Sequence, residues 1–198
     1  MTKTDRRVKR TRERLQKALI ELIDEREYDA ITVQDIADRA DMGRTTFYLH
    51  YNSKDDLFMS CHQAIVSQFH FGPHYAHSRE AMLAPGTPQE LTLAYQHLEE
   101  AWGRLQPVFQ GKDGSLILRQ IRDRSAQEIE AGLRAAFSET ESAIPYDVLA
   151  NYLAGAQLAL VHWWLEKRRS HTAEDLAQAL HRLQRAAIRD AFGLAEGE

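Results

Sequence analysis

The stretch that decides the fold is Ile31-Thr-Val-Gln-Asp-Ile-Ala-Asp-Arg-Ala-Asp-Met-Gly-Arg-Thr-Thr-Phe-Tyr-Leu-His-Tyr-Asn-Ser-Lys-Asp-Asp-Leu-Phe58. Thr32 is placed to cap a helix, with Asp35 three residues on, and Ile36, Ala37 and Ala40 then fall on one face at helical spacing. The two alanines leave room for a second helix to cross closely. Asp41-Met-Gly43 interrupts the period, since Asp tolerates the left-handed conformation and Gly adopts almost any backbone angle. A helix of about two turns follows, with Phe47 turned back toward Ile36 and Ala40, and Arg44, Thr45 and Tyr48 on the other side. Ser53, with Asp56 three residues later, opens a third helix. Two short helices crossing at a tight turn, the second carrying compact polar side chains outward, form the helix-turn-helix pattern that fits a duplex major groove about 12 Å wide.

On these residues the chain resembles the TetR family of transcription regulators. The matching positions are Ile36-Ala37, Ala40, Met42, Thr46-Phe47-Tyr48, His50-Tyr51, Lys54 and Leu57, and the resemblance covers roughly residues 12–58. It departs from the family pattern at Asp41, where Gly is usual, and at Gly43, where a hydroxyl residue that often touches DNA is usual. The resemblance implies an all-helical protein: a DNA-binding domain over residues 1–54 and a helical effector-binding and dimerisation body over 55–198. It also implies phosphate contacts from Tyr48, His50 and Lys54. The side chains themselves give a compatible reading, in which Arg44 forks to guanine, Thr45 and Thr46 approach bases, and Leu49 offers an apolar base contact. Thr32 completes the expected DNA-contacting set.

The 198-residue chain has a net charge of −4, which by itself argues against a nucleic-acid partner. Its distribution argues otherwise: residues 1–20 hold eight basic against two acidic residues, a net +6, leaving −10 on the remainder. A basic end on an acidic body orients a protein on a polyanion without making its whole surface adhesive. A lone cysteine, Cys61, permits no internal disulfide and fits a reducing compartment. No apolar stretch follows the basic N-terminus as a signal peptide would require. The longest apolar run, Tyr152–Leu165, contains Gln157 and His162 and is shorter than the ~20 residues of a membrane span. A soluble cytoplasmic protein is expected.

Helical periodicity predicts a first helix through Leu15, Ala18, Leu19, Leu22 and Ile23, and a long helix from Ser53 to Gly72-Pro73. A connection over residues 72–88 with one helical turn near Arg79–Leu83 comes next. Further helices are expected over Gln89–Phe109, where Pro107 should kink or end the helix, and from Ser115 as cap to Phe137. The last two run from Pro145 to Arg169 and from a Thr172–Asp175 capping box to Phe192.

A short reading helix contacts few base pairs, so two heads and hence a homodimer are expected. Its interface is placed on Ala156, Ala159 and Trp163 of one helix and on Leu176, Leu180 and Leu183 of the next. Adjacent Trp163 and Trp164 cannot point the same way. A small-molecule effector is expected in an apolar pocket lined by Phe69, Tyr95, Trp102, Phe109 and Phe137. The leading reading is thus a regulator, most simply a repressor released from a pseudo-palindromic double-stranded DNA operator by an inducer, with no catalytic residues, metal or cofactor. The alternatives are a metal-dependent enzyme built on His62, His70, His74 and His77, whose spacing is broken by Gly72-Pro73, and a helical interaction module without DNA binding. No Ser/His/Asp arrangement, phosphate-binding glycine loop or paired-carboxylate motif is found.

Overall fold

The computed structural model describes residues 3–68, 78–112, 114–138, 142–167 and 171–194. Among them the architecture is helical throughout: α1 (Lys3–Glu25), a 3-10 turn (Tyr28–Ala30), α2 (Val33–Arg39), α3 (Arg44–Tyr48), α4 (Lys54–Gln68), α5 (Arg79–Leu83), α6 (Gln89–Gln110), α7 (Gly114–Ala136), α8 (Tyr146–Glu166) and α9 (Ala173–Ala191). The capping boxes at Thr32 and Thr172 are those the sequence specifies. Thr32 and Thr172 each accept from the amide three residues on, while Asp35 and Asp175 accept in return from the capping residue's own amide. These reciprocal bonds hold both carboxyls below the usual range.

Two details differ from the sequence expectation. Pro107 lies inside α6, which continues to Gln110. It sits in the last turn, so only one amide bond is forfeited, and Pro107's own carbonyl accepts from Gly111 N at 3.0 Å. Helix α7 begins at Gly114, so Ser115 is inside its first turn. A Cβ at position 114 would lie 2.1 Å from the Phe109 carbonyl oxygen, which explains the glycine.

The chain forms two compact units: residues 1–65 with 103–118, and residues 66–102 with 119–198. In the first, Leu15, Leu19, Leu22, Ile36, Ala37, Phe47 and Leu57 are all but inaccessible. The end of α6 belongs to this unit. Phe58 meets both Tyr28 and Phe109 edge-on, and Asp29 accepts from Lys112 N at 3.0 Å. In the second unit Met82, Leu133, Phe137, Tyr146, Leu149, Leu153, Ile188 and Phe192 form one apolar cluster, with Phe137 stacked on Phe192 at 4.1 Å. No helix among the described residues is long and apolar enough to cross a membrane.

Candidate nucleic-acid interface

The turn between α2 and α3 is set by Asp41, which adopts φ 54°, the left-handed region that the family pattern fills with glycine. Arg14 of α1 stabilises this turn, donating from Nη2 to the Ala40 carbonyl at 2.6 Å and to Asp41 Oδ2 at 3.4 Å. A second tie joins α1 to α2, where Arg39 grips the Glu25 carboxylate with both guanidinium ends and lowers its pKa. Gly43 precedes α3 with φ −81° and ψ 152°, ordinary extended backbone, and supplies no side-chain cap. The free space around it would admit a hydroxyl residue.

Helix α3 therefore leaves the turn at a fixed angle and divides sharply. Phe47 is fully buried and meets the rings of Tyr48 and Tyr51. Outward lie Arg44 and Thr45, with Tyr48 half exposed and Leu49 76% exposed, while Thr46 and His50 are partly covered. The Arg44 guanidinium rests 5.9 Å from the centre of the Tyr48 ring. An exposed cation, hydroxyl and aromatic ring thus stand together over the buried Phe47, side-chain chemistry that a major groove accepts.

Two residues expected at DNA are occupied within the fold. Thr32 Oγ1 donates to Asp35 Oδ2 at 2.6 Å and accepts from Asp35 N at 3.2 Å, so its hydroxyl completes the α2 cap. Lys54 directs its ammonium to the carbonyls of Tyr28 (2.5 Å) and Ile31 (3.0 Å) and lies 4.1 Å from the centre of the Tyr28 ring. The Tyr28 carbonyl also accepts from Ile31 N at 3.1 Å, closing the 3-10 turn, and together the two carbonyls engage the charge assigned to a phosphate. The α4 start also carries Asp55 and Asp56, which weaken its attraction for an anion.

The residues expected to line one pocket are dispersed. Tyr95 and Trp102 are buried on α6. Tyr95 meets Trp164 edge-on, its hydroxyl accepts from Gln157 Nε2 at 3.4 Å, and Gln157 Oε1 in turn accepts from Gln184 at 3.0 Å. Trp102 faces the His162 ring edge-on. Phe109 packs on Phe58 in the first unit, whereas Phe137 belongs to the Phe192 cluster of the second. Phe69 lies outside the described residues, as do His70, His74 and His77. Among the described residues, which include His62, no group of three metal-ligating side chains occurs. Cys61 is buried, and burial pushes its thiol up to about 12, too high for thiolate chemistry near neutrality.

On α9, Leu176 and Leu180 are buried within their own chain, whereas Leu183, at the rim of the same stripe, is 58% exposed. The helix packs that stripe on α5 and α8, which is why the first two are not free for a partner. On α8, Trp164 turns inward and donates from Nε1 to the His171 carbonyl at 2.9 Å, and Trp163 turns outward. Ala159 is exposed and Ala156 half buried on the same side. Val148 and Tyr152, both more than half exposed, extend this outer face beyond the residues that the sequence pointed to. The available signal was spacing: Val148, Tyr152, Ala156, Ala159 and Trp163 follow one another at four, four, three and four residues, one side of a helix.

Residues 15–61 match the sequence profile described as bacterial regulatory proteins, tetR family. A stretch of 57 residues is 46% identical to an uncharacterized HTH-type transcriptional regulator, YxbF, of Bacillus subtilis (strain 168). That stretch is 28% of this chain and spans only 15% of the length of that protein. Among solved structures, the FadR TetR-family transcriptional repressor of Thermus thermophilus, in complex with lauroyl-CoA, is similar over 94% of this chain and 96% of its own, with TM-score 0.56 and 18% identity. The dihydroxyacetone kinase operon activator DhaS is similar over 92% of this chain and 98% of its own, with TM-score 0.53 and 20% identity. At such identities the likeness is one of fold.

Proposed function

We propose, from the tetR-family match of residues 15–61, that the chain is a TetR-family regulator: a dimeric DNA-binding transcription regulator, acting as a repressor that a small-molecule effector releases from a pseudo-palindromic operator. The observation that carries the reading is the division of α3, with Phe47 sealed in the core beneath an exposed Arg44, Thr45, Tyr48 and Leu49. Arg44 is assigned to a guanine edge, Thr45 and Leu49 to bases including thymine methyls, and Tyr48 and His50 to phosphates. Lys54 serves by holding the α4 start to the 3-10 turn.

Dimerisation is assigned to the outer face of α8, Val148, Tyr152, Ala156, Ala159 and Trp163, together with Leu183 of α9. An apolar stripe of this length on a helix whose other side already fills the core is covered when two copies meet. Two heads then address half-sites about 34–36 Å apart, one helical turn, or a multiple of it. The effector is assigned to the α6–α8–α9 region, where Tyr95, Gln157 and Gln184 place a polar string among apolar walls. Occlusion of a promoter needs only tight binding, which is why repression is the simpler mode.

In vitro selection from a random duplex pool tests this reading. The expected product is a two-fold-related sequence bound by two chains, with at least about tenfold weaker binding by Arg44→Ala. Recovery of no sequence preference would overturn it.

A further inference from the structure

Among the described residues five cations lie over aromatic rings, and four of those rings are buried. Tyr51, Tyr28, Phe137 and Tyr146 are at most 7% exposed, and Arg12, Lys54, Arg79 and Arg134 cover them at 4.1–5.4 Å from the ring centre. The fifth pair differs. Tyr48 is 50% exposed and Arg44 is exposed as well, so their 5.9 Å contact seals no part of the core.

The helix explains how the two side chains meet. Residues 44 and 48 stand about one turn apart on one face, and side chains of an α-helix lean toward its N-terminus, which brings the Tyr48 ring back toward the guanidinium. The ring is itself oriented by the core, since the fully buried Phe47 meets it edge-on at 5.4 Å and 83°. Elsewhere in the head Arg14 and Arg39 are held by hydrogen bonds to the Ala40 carbonyl and the Glu25 carboxylate. For Arg44 the Tyr48 ring takes that part. A free arginine samples many rotamers, and a two-bonded fork on guanine O6 and N7 accepts few of them, so binding must remove that freedom. A guanidinium already resting on a ring has less to lose.

We infer that Tyr48 is a positioning residue for base recognition: its ring holds the Arg44 guanidinium ready for a guanine edge, apart from any contact of its hydroxyl with a phosphate. The inference rests on the function proposed above, in which Arg44 reads a guanine. It divides one side chain between two tasks, the ring serving discrimination and the hydroxyl affinity.

The test measures binding of full-chain variants to the selected duplex, to that duplex altered at the base pair where Arg44→Ala relaxes discrimination, and to a random duplex. Tyr48→Phe keeps the ring and should weaken all three duplexes alike, with the wild-type ratio of selected to altered affinity. Tyr48→Leu removes the ring and should also lower that ratio by about two- to fivefold per half-site, the range of an exposed cation–ring contact. In an Arg44→Ala background the same change should leave the ratio as it is. A second measurement needs no DNA: the Arg44 side-chain protons should show an upfield ring shift by NMR in the wild type and in Tyr48→Phe, and lose it in Tyr48→Leu. An unchanged ratio in Tyr48→Leu, or no ring shift in the wild type, would overturn the inference and leave Arg44 as a base reader. A wild type with no sequence preference, or wild-type discrimination in Arg44→Ala, would overturn the reading itself and the inference with it.

Discussion

Phe47 and Tyr48 are neighbours in sequence and opposites in exposure, fully buried against 50%, and in the second unit Trp164 and Trp163 form the same kind of pair, 2% against 41%. In both pairs a helix sends one ring into the core and the next to the surface. What differs is the company of the outer ring. Tyr48 stands with Arg44 and Thr45, a polar and cationic face that suits a hydrated polyanion. Trp163 stands with Val148, Tyr152 and Ala159, an apolar face that suits another protein surface. The partner is thus written in the neighbours of the exposed aromatic more than in the aromatic itself.

The largest effects should come from the inner members. Phe47→Ala and Trp164→Ala should each lower unfolding free energy by about 3–5 kcal/mol in urea titrations, whereas Tyr48→Ala should stay within about 0.5 kcal/mol. A Tyr48→Ala loss equal to that of Phe47→Ala would erase the distinction between reading face and core. The outer apolar face is probed next by Tyr152→Glu with Leu183→Glu. Both side chains are exposed in the single chain, so the fold should survive while light scattering reports monomers. A folded dimer would place the interface elsewhere.

A smaller effect concerns pH in the body. His181 is buried, with Nε2 2.8 Å from the Ala84 carbonyl that Arg185 also donates to. Burial first, and the Arg185 charge as well, hold its imidazole below the ordinary value, against the raising effect of the Ala84 bond. Because the unfolded chain then takes up the proton more readily, His181 favours folding above about pH 6.5, and this contribution is lost as pH falls toward the depressed folded value. His181→Gln should flatten the decline of melting temperature between about pH 7 and 5.5, and an unchanged slope would remove His181 as its source. The smallest effect expected is at Gly43. Serine there should cap α3 and add a few tenths of a kcal/mol by thermal unfolding, since the site has room for it.

The head was legible in the sequence because its constraints are local. Capping residues, the Asp41 turn and the inward Phe47 all act within a few positions of one another, and the structure places each as the spacing implied. Lys54 was less legible: the carbonyls that engage it belong to Tyr28 and Ile31, more than twenty residues away. In the body the same limit appears at larger scale. A helical stripe such as Leu176, Leu180 and Leu183 says that one face is covered, but not whether the cover is α5 and α8 of the same chain or a second copy. Aromatic residues such as Phe109 and Phe137 signal burial without saying in which cluster.

The central claim, that the outer face of α3 reads DNA while its inner face only holds the head together, is tested most directly by Arg44→Ala. Its unfolding free energy and its affinity for the selected duplex and for a random duplex should be measured on one preparation. Unfolding should be unchanged within about 0.5 kcal/mol and random-duplex affinity little altered, while the selected duplex binds more weakly by about 1–3 kcal/mol per half-site with discrimination relaxed at one base pair. Wild-type affinity for the selected duplex, with the protein folded, would contradict it.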